Sequence, residues 1–551
     1  MSNQAPFEGL LWVVWDGASC DVVNELFDQG ELPALRSLCA GHVVPLTPLS
    51  PNCQTPPSLA SLYTGVAIAE HGVTGFRMPA REPGATFVES RSGFDAAIDH
   101  PLIWDQVMAR GDWAGLSHIA WGTGDTASRH PASLAVDAFP RRLAVPGVIE
   151  APGSACGPPT ARSFELGGRE LVVQKRDGAY EVSTPVTGDR VVLTPSMRLQ
   201  LGPKALRFGP GLATRLGVVA LPGARHMLVH TGLWEIRTQG GPPRDGLDAS
   251  VGAFVGKLLG ESYRAGELGP RLMEGGDGGA EHALMESARC QVESFTRSCE
   301  LVLRSAPPDG FVMAYLPTID EVQHELFRWW VHSPADQASR GAREVIRRAY
   351  ALADEQLAHL VRHVGPECTV VVCSDHGAAP VERDFYANQT LVRAGLARFD
   401  EQGRIDARAS HAAYHPAGNG SVWINDTGRP AGLVAPQERD AIVDAAERAL
   451  RAARDPLTGG APVEVTRVSR AGRHLFGDLY LWLRPGYDCL WEPGAKAAEF
   501  ATAREAGSHM TPTGESTLRG VLAIGGGGST DRPEGEMTVM DVHDLVQRVI
   551  S

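Results

Sequence analysis

Seven residues combine the side chains that bind divalent metal ions with one hydroxyl that could act as a nucleophile. They are three aspartates, three histidines and one threonine. Each lies in a segment predicted to be a strand end, a helix start or a loop, where α/β enzymes place their chemistry. Such a set could hold two divalent ions beside a nucleophile, which favours hydrolysis of a phosphorus ester. The residues are Asp16, Thr55, Asp320, His324, Asp375, His376 and His509.

Two of the aspartates follow apolar runs that are typical of buried parallel strands. The run 10–15 leads into Asp16, and the run 368–374 leads into Asp375 and His376. An aspartate before a glycine is also common in turns, so Asp16 alone would indicate only a turn. Two ligand types side by side after the second strand indicate a site more specifically.

The other metal-binding candidates lie in a helix and a loop. Asp320 and His324 are four residues apart, so on a helix they share one face and can bind one ion. Many pairs with this spacing are only solvated neighbours on a helix surface. His509 lies in a segment without helical periodicity, and composition alone would not select it.

Thr55 starts a predicted helix that stops at Gly65, because a threonine before a proline is a favourable helix start. One interpretation places its hydroxyl at the N-cap, with Pro56 at the first helical position. The other makes the hydroxyl a nucleophile, with the helix N-terminus favouring a phosphate nearby. The sequence leaves both interpretations open for Thr55 taken alone.

The elements that must position these residues alternate between strands and helices, except in 165–240. There, short alternating runs separated by Gly- and Asp-containing turns predict an antiparallel β insertion. Further predicted helices span about 22–38, 281–305, 334–364 and 436–453, with a last one from Val539. Further predicted strands are 310–316, 462–468, 478–484 and 520–525.

Composition excludes several classes of protein. The net charge of −14 argues against a nucleic-acid-binding surface, although metal ions could still attract a small phosphorylated substrate. The nine cysteines form no C-x-x-C pair, which suits reduced cytosolic thiols. The N-terminal segment lacks the features of a signal peptide, and no apolar run reaches the roughly 18 residues of a membrane span. We therefore expect a cytoplasmic protein without a membrane span.

The motifs together resemble those of the alkaline phosphatase superfamily, in the branch of type I phosphodiesterases and nucleotide pyrophosphatases. Asp16-Gly17 resembles the first metal-binding strand of that branch, and Thr55-Pro-Pro-Ser resembles its nucleophile segment. Thr64-Gly65 and His71-Gly72 follow as in that segment. The remaining ligand motifs occur in the family's order, and they are Asp320-x-x-x-His324, Ser374-Asp375-His376-Gly377 and Gly507-Ser-His509.

The resemblance implies roles for the seven residues. One ion would be bound by Asp320, His324 and His509. The other would be bound by Asp16, Asp375 and His376, with the Thr55 oxygen also in contact with it. Zinc is the expected metal for mixed histidine and carboxylate ligands, with manganese as the weaker choice. Attack by Thr55 would give a covalent phosphothreonine that water then hydrolyses.

Two positions depart from patterns within the superfamily. Nucleotide pyrophosphatases of this type carry an asparagine 21 residues after the nucleophile that helps to bind a phosphoryl oxygen, and Phe76 stands there. Arg77 or Asn52 could replace it, so these three residues are the candidate substrate contacts. Sulfatases need a cysteine or serine nucleophile and an arginine four residues later, where this chain has Thr55 and Leu59.

We therefore expect an α/β sandwich with a mostly parallel central sheet flanked by helices, plus a β-rich insertion. The predicted domains are a catalytic core in 1–160 and 251–551 and an insertion or cap in 161–250. The expected activity is two-metal hydrolysis of a phosphodiester or pyrophosphate bond in a small molecule, such as a nucleotide derivative. The alternatives are a phosphomonoesterase, a phosphonate C–P hydrolase and a catalytically silent binding protein.

Overall fold

A nine-stranded sheet forms the centre of the molecule. The computed structural model describes residues 6–550 except 124–130, 154–160, 203, 224, 241–251, 332–335, 492–497, 528–532 and 534. The strands around Leu10–Trp15 are parallel, whereas Gly520–Gly526 runs antiparallel to both its neighbours. Across the sheet the order is Arg237–Gln239, Leu134–Asp137, Ala114–Ser117, Phe311–Leu316, Leu10–Trp15, Thr369–Cys373, Gly520–Gly526, Val44–Thr47 and Met537–Thr538.

Both faces of this sheet are covered by helices, which explains why its strands are apolar without alternation. In the strand Leu10–Trp15, Leu11, Val13 and Trp15 pack into one hydrophobic cluster, and the alternate side chains pack into another. Each fully buried aliphatic side chain contributes about 1.5–3 kcal/mol of burial free energy. The expected α/β sandwich with a mostly parallel sheet is confirmed.

The helices divide between these two layers. Cys20–Asp28, Gly279–Ser305, Thr318–Val331 and Gln337–Val361 contribute to the first cluster, and Thr55–Thr64, Ile103–Ala109 and Val539–Ile550 to the second. The other helices of the described chain are Pro33–Leu38, Ile68–His71, Gly260–Arg264, Ala387–Arg393, Arg439–Ala452 and Arg473–Phe476.

Antiparallel strands dominate residues 142–234 and form hydrophobic contacts largely among themselves. The end of the predicted insertion, 241–250, lies outside the described residues, and its boundaries stay a prediction. The strands are Arg142–Ala144, Gly147–Glu150, Ala161–Leu166, Arg169–Arg176, Ala179–Ser183, Arg190–Leu193, Leu206–Gly209, Leu212–Thr214, Leu216–Leu221, Arg225–His230 and Leu233–Trp234.

A smaller four-stranded sheet packs with the helices Ala387–Arg393 and Arg439–Ala452 around a separate apolar cluster. Its strands are Ala412–Tyr414, Ser421–Ile424, Leu479–Leu483 and Val463–Arg467. The remaining strands of the described chain are Arg77–Pro79, Ser90–Ser92, Ala379–Phe385, Gly486–Cys489, Phe500–Thr502 and Gly507–Ser508.

Two predictions about helices were wrong in detail. The predicted helix 22–38 is two helices, because the chain turns through left-handed backbone at Gly30 (φ 79°) and Leu32 (φ 54°). The helix from Thr55 does stop at Gly65, which has left-handed backbone. However, Gln54 holds the N-cap position, so Thr55 is already helical and its hydroxyl caps no backbone N–H.

Candidate active site

The first metal-binding group lies at the carboxyl ends of two adjacent parallel strands. Because Leu10–Trp15 and Thr369–Cys373 run side by side, the residues that follow them emerge at the same edge. His376 Nε2 lies 3.3 Å from Asp16 Oδ1 and 3.2 Å from Asp375 Oδ2. All three side chains are buried.

The second group comes from the helix Thr318–Val331 and the loop after the strand Gly507–Ser508. One turn of helix separates Asp320 from His324, and His324 Nε2 lies 3.4 Å from Asp320 Oδ2. His509 Nε2 lies 3.4 Å from Asp320 Oδ1 and 3.2 Å from His324 Nε2. These three side chains therefore converge although His509 is far away in sequence.

The two groups form one continuous site. The rings of His376 and His509 stack with centroids 3.6 Å apart and planes 14° from parallel. Ligand atoms of Asp320, His376 and His509 all lie within 4.8 Å of one another, as do those of Asp16, Asp375 and His376. His376 therefore lies between the two groups.

Gly17 allows the close approach of Asp16 and Asp320. It has left-handed backbone (φ 70°), and a Cβ built on it would lie 2.8 Å from Asp320 Cβ. The amide of Asp320 also donates to the Asp16 carbonyl at 3.2 Å. A side chain at position 17 would push the helix of Asp320 away from the strand of Asp16.

The hydroxyl of Thr55 points at the first group. Its Oγ1 lies 3.3 Å from His376 Nε2, and the residue is 2% exposed. Since Thr55 is the first residue of its helix, its own backbone N–H and the positive end of the helix dipole lie beside this oxygen. The next two residues are prolines without an N–H, and the Ser58 amide donates to the Gln54 carbonyl at 3.1 Å. The N-cap interpretation is wrong, and the position suits a group that meets a phosphate.

The second ring nitrogen of each histidine faces an acceptor oxygen. Nδ1 of His376 lies 2.9 Å from the Gly377 carbonyl, and Nδ1 of His509 lies 3.1 Å from the Cys53 carbonyl. Nδ1 of His324 lies 2.8 Å from a carboxylate oxygen of Glu505. All three Nε2 atoms face the aspartates, and in the neutral imidazole with its hydrogen on Nδ1 the Nε2 lone pair can bind a metal ion.

The site concentrates negative charge in a buried place. Burial, followed by the charges of Asp375 and Asp320, raises the pKa of Asp16 well above its usual range. Burial would lower the pKa of His376, but Asp375 and Asp16 outweigh burial and raise it. Burial and the neighbouring His376 lower the pKa of His509 to about 3. Neutral His509 is thus a ready electron-pair donor.

These features fit divalent metal ions. Among the described residues, one buried oxygen on each of Asp16, Asp320 and Asp375 finds no hydrogen-bond partner. A buried, unpartnered carboxylate oxygen is costly unless a cation neutralises it. Here those oxygens and the Nε2 lone pairs face a common space, as the ligands of a metal ion do.

Comparison with known proteins places the chain in a family. Residues 10–155 and 282–509, more than half of the chain, match the family described as type I phosphodiesterase/nucleotide pyrophosphatase. The chain belongs to this family. The protein is therefore a phosphoric ester hydrolase of a metal-dependent family.

Several solved structures align with this chain over nearly its whole length, although their sequence identity to it is low. Phosphonoacetate hydrolase from Sinorhizobium meliloti 1021, in complex with phosphonoformate, is 14% identical, with a TM-score of 0.47 and coverage of 99% of this chain and 96% of its own. Murine ectonucleotide pyrophosphatase/phosphodiesterase 5 is 10% identical, with a TM-score of 0.46 and coverage of 98% and 95%. No curated protein is a significant match to the sequence.

The three candidate substrate contacts lie near the start of the Thr55 helix but differ in their surroundings. Asn52 is buried, and it accepts from the Gln54 amide at 2.8 Å and donates to the Thr74 carbonyl at 3.2 Å. Phe76 is 41% exposed, and its backbone amide donates to the side chain of Gln54. The Arg77 guanidinium donates to Ser90. Their contact with substrate stays a prediction.

Sequence reasoning missed two residues that hold the metal ligands. Tyr315, on the strand beside Leu10–Trp15, donates its hydroxyl hydrogen to Asp16 Oδ2. Glu505 pairs with His324, whose Nδ1 lies 2.8 Å from one of its carboxylate oxygens, and Arg264 lies 3.2 Å from the other. His324 and Arg264 lower the pKa of Glu505 to about 2 against the effect of burial. Only the closeness of Glu505 to His509 in sequence could have suggested it.

The carboxylate of Glu505 orients His324 and makes its Nε2 a stronger donor, so we expect Glu505→Gln to weaken metal binding. The expected loss of zinc affinity is about 10–100-fold at one site. Titration of the metal-free protein against a competing chelator measures it. Glu464→Gln is the matched control, since Glu464 is exposed and pairs with Arg484 elsewhere. Equal affinities of the two variants would contradict the role of Glu505.

Proposed function

We propose that the protein cleaves a phosphodiester or pyrophosphate bond of a small molecule by attack of Thr55 on phosphorus. The observation that carries the proposal is the position of the Thr55 hydroxyl. It lies 3.3 Å from His376 Nε2, beside the carboxylates of the first group and at a helix N-terminus. In the described helix the hydroxyl makes no capping hydrogen bond.

Two metal ions would be divided between the two groups of ligands. Asp16, Asp375 and His376 would hold one ion next to the Thr55 oxygen, and the second group, Asp320, His324 and His509, would hold the other. When bound, the ions supply positive charge that favours the threonine alkoxide and offsets the charge on the phosphoryl oxygens. Histidine and carboxylate ligands suit zinc best, and manganese is the weaker choice.

The chain's own residues then position the reacting groups. The positive end of the helix dipole and the backbone N–H of Thr55 would favour the phosphoryl oxygens, and burial keeps Thr55 in one place. Attack forms the bond from Thr55 Oγ1 to phosphorus as the Oγ1–H bond breaks. The bond from phosphorus to the leaving oxygen breaks in turn, and the released proton passes to that oxygen through solvent. Water then hydrolyses the phosphothreonine and restores the threonine hydroxyl.

The substrate class proposed is a small phosphate ester and not a nucleic acid polymer, because the net charge of −14 argues against binding a long polyanion. Within the part of the chain that the structure describes, no helix combines the length and apolarity needed to cross a bilayer. A cytoplasmic location stays a prediction.

We expect diesters to be better substrates than monoesters. A monoester carries one more negative charge than a diester. The position that holds an arginine in sulfatases is Leu59 in this chain, a buried residue of the Thr55 helix, so it provides no positive charge to neutralise that extra charge. The measurement is kcat/KM for a bis-aryl phosphate, an aryl monophosphate and phosphonoacetate, each with added zinc or manganese. Thr55→Ala protein, purified in parallel, controls for contaminating phosphatases.

The three substrates separate the alternatives. A bis-aryl phosphate with the highest kcat/KM supports the proposal. A higher value for the monophosphate would replace it with a phosphomonoesterase, and a higher value for phosphonoacetate would replace it with a phosphonate C–P hydrolase.

A further inference from the structure

A second cluster of metal-binding side chains lies outside the active site. Glu300, on the helix Gly279–Ser305, faces His359 and His363, at the end of the helix Gln337–Val361. One ligand atom from each residue lies within 4.8 Å of the others. All three side chains are partly buried, with exposures between 16% and 35%.

This cluster lies at the other end of the sheet from the active site. His363 precedes the strand Thr369–Cys373, whereas Asp375 follows that strand. A five-residue strand is about 17 Å long, since each residue advances about 3.3 Å. The cluster can therefore be altered without touching the residues of the active site.

The two imidazoles converge on one carboxylate. His363 Nε2 lies 3.0 Å from Glu300 Oε1, and His359 Nε2 lies 3.6 Å from Glu300 Oε2. The four-residue spacing places both rings on one side of the chain, with centroids 4.8 Å apart. Two histidines four residues apart with a carboxylate opposite are a ligand set used for zinc.

The hydrogen-bond pattern leaves a place for a cation. Nδ1 of His363 lies 2.9 Å from the His359 carbonyl and so carries a hydrogen, which leaves the Nε2 lone pair of neutral His363 facing a carboxylate. Nε2 of His359 is shielded from solvent, and no residue in the described part of the chain makes a hydrogen bond with it. A lone pair facing a carboxylate is repulsive unless a proton or a metal ion lies between them.

Two arginines compete with a cation for these ligands. Arg304 forms an ion pair with Glu300 one turn along the same helix. Arg362 Nη2 lies 3.3 Å from His359 Nδ1, so this contact must open when His359 binds a metal through Nε2. The side chain of Arg304 is 65% exposed, and an ion pair that solvent screens to this extent is weak competition for a metal ion.

We propose that Glu300, His359 and His363 bind a zinc ion, with water completing its coordination. The ion would join the helices Gly279–Ser305 and Gln337–Val361, which pack against the same face of the central sheet. Its role is structural: binding to the folded state alone stabilises that state. The catalytic ions have their own ligands, so this site does not depend on the proposed function.

The test uses the full-length protein with its catalytic site already saturated with zinc. Calorimetric titration with further zinc should show one more equivalent in the unmodified protein than in His359→Ala/His363→Ala. The same zinc additions should raise the melting temperature of the unmodified protein and leave that of the double variant unchanged. Hydrolysis of the bis-aryl phosphate should be unchanged in the double variant.

Three variants keep the test decisive. His474→Ala, which removes an exposed histidine elsewhere, should retain the additional equivalent. Arg304→Ala keeps all three ligands and removes a competitor, so it should bind the ion at least as tightly as the unmodified protein. Glu300→Gln is a second ligand variant, to be used if the double variant fails to fold, and it should also lack the additional equivalent of zinc. Equal zinc content in the unmodified protein and the ligand variants would overturn the proposal. A proton shared between the histidines and Glu300 would then explain why these side chains lie so close together.

Discussion

Replacing Thr55 by alanine should lower turnover by several orders of magnitude and leave metal binding intact. Loss of a covalent nucleophile costs on the order of 10³–10⁶ in kcat. The change should have little effect on stability, because Gln54 holds the N-cap position and the hydroxyl makes no capping hydrogen bond. The measurements are single-turnover rates, zinc content and the melting temperature.

Two further experiments separate a threonine nucleophile from direct attack by water. Thr55→Ser keeps a hydroxyl in the same place, so it should retain part of the activity that Thr55→Ala loses. A chiral phosphorothioate diester should react with net retention at phosphorus, since two in-line displacements restore the configuration. Inversion, or ordinary turnover by Thr55→Ala, would show that water attacks phosphorus directly.

Replacing Asp375 by asparagine or His376 by alanine should remove at least one equivalent of metal together with nearly all activity. His376 lies within 3.3 Å of both Asp16 and Asp375, so the first group cannot close around an ion without it. In a His359→Ala/His363→Ala background, which removes the separate site proposed above, the protein should contain two equivalents of zinc or manganese. Elemental analysis after dialysis against dilute zinc measures both quantities.

Asp354→Asn is the matched control for Asp375→Asn. Asp354 is also buried, but it accepts hydrogen bonds from the backbone amides of Ala34 and Leu35, away from the active site. That variant should keep both equivalents. Unchanged metal content in Asp375→Asn and His376→Ala would refute the assignment of these ligands, whatever happens to the rate.

The sequence by itself indicated the elements that carry the chemistry. Apolar runs predicted the strands that end before Asp16 and Asp375, because a strand buried on both faces needs no polar residues. The spacing of Asp320 and His324 predicted one helix face, and the structure has them on the helix Thr318–Val331. The order of the motifs was enough to indicate the family. Strand runs and helix spacing are set by residues that are close together in the sequence, so the pattern of the sequence is enough to predict them.

The tertiary structure decided how the elements meet. Only the pairing of strands places Asp375 beside Asp16, and only the packing of a loop against Cys53 brings His509 to Asp320. The structure also decided where the Thr55 hydroxyl points. Because Gln54 holds the N-cap position, this hydroxyl is not used as a helix cap and lies next to His376 instead. Glu505 and Tyr315 were missed for the same reason, since a side chain that orients a ligand is selected by distance and not by sequence spacing. Contacts between residues hundreds of positions apart leave no periodicity in a single sequence.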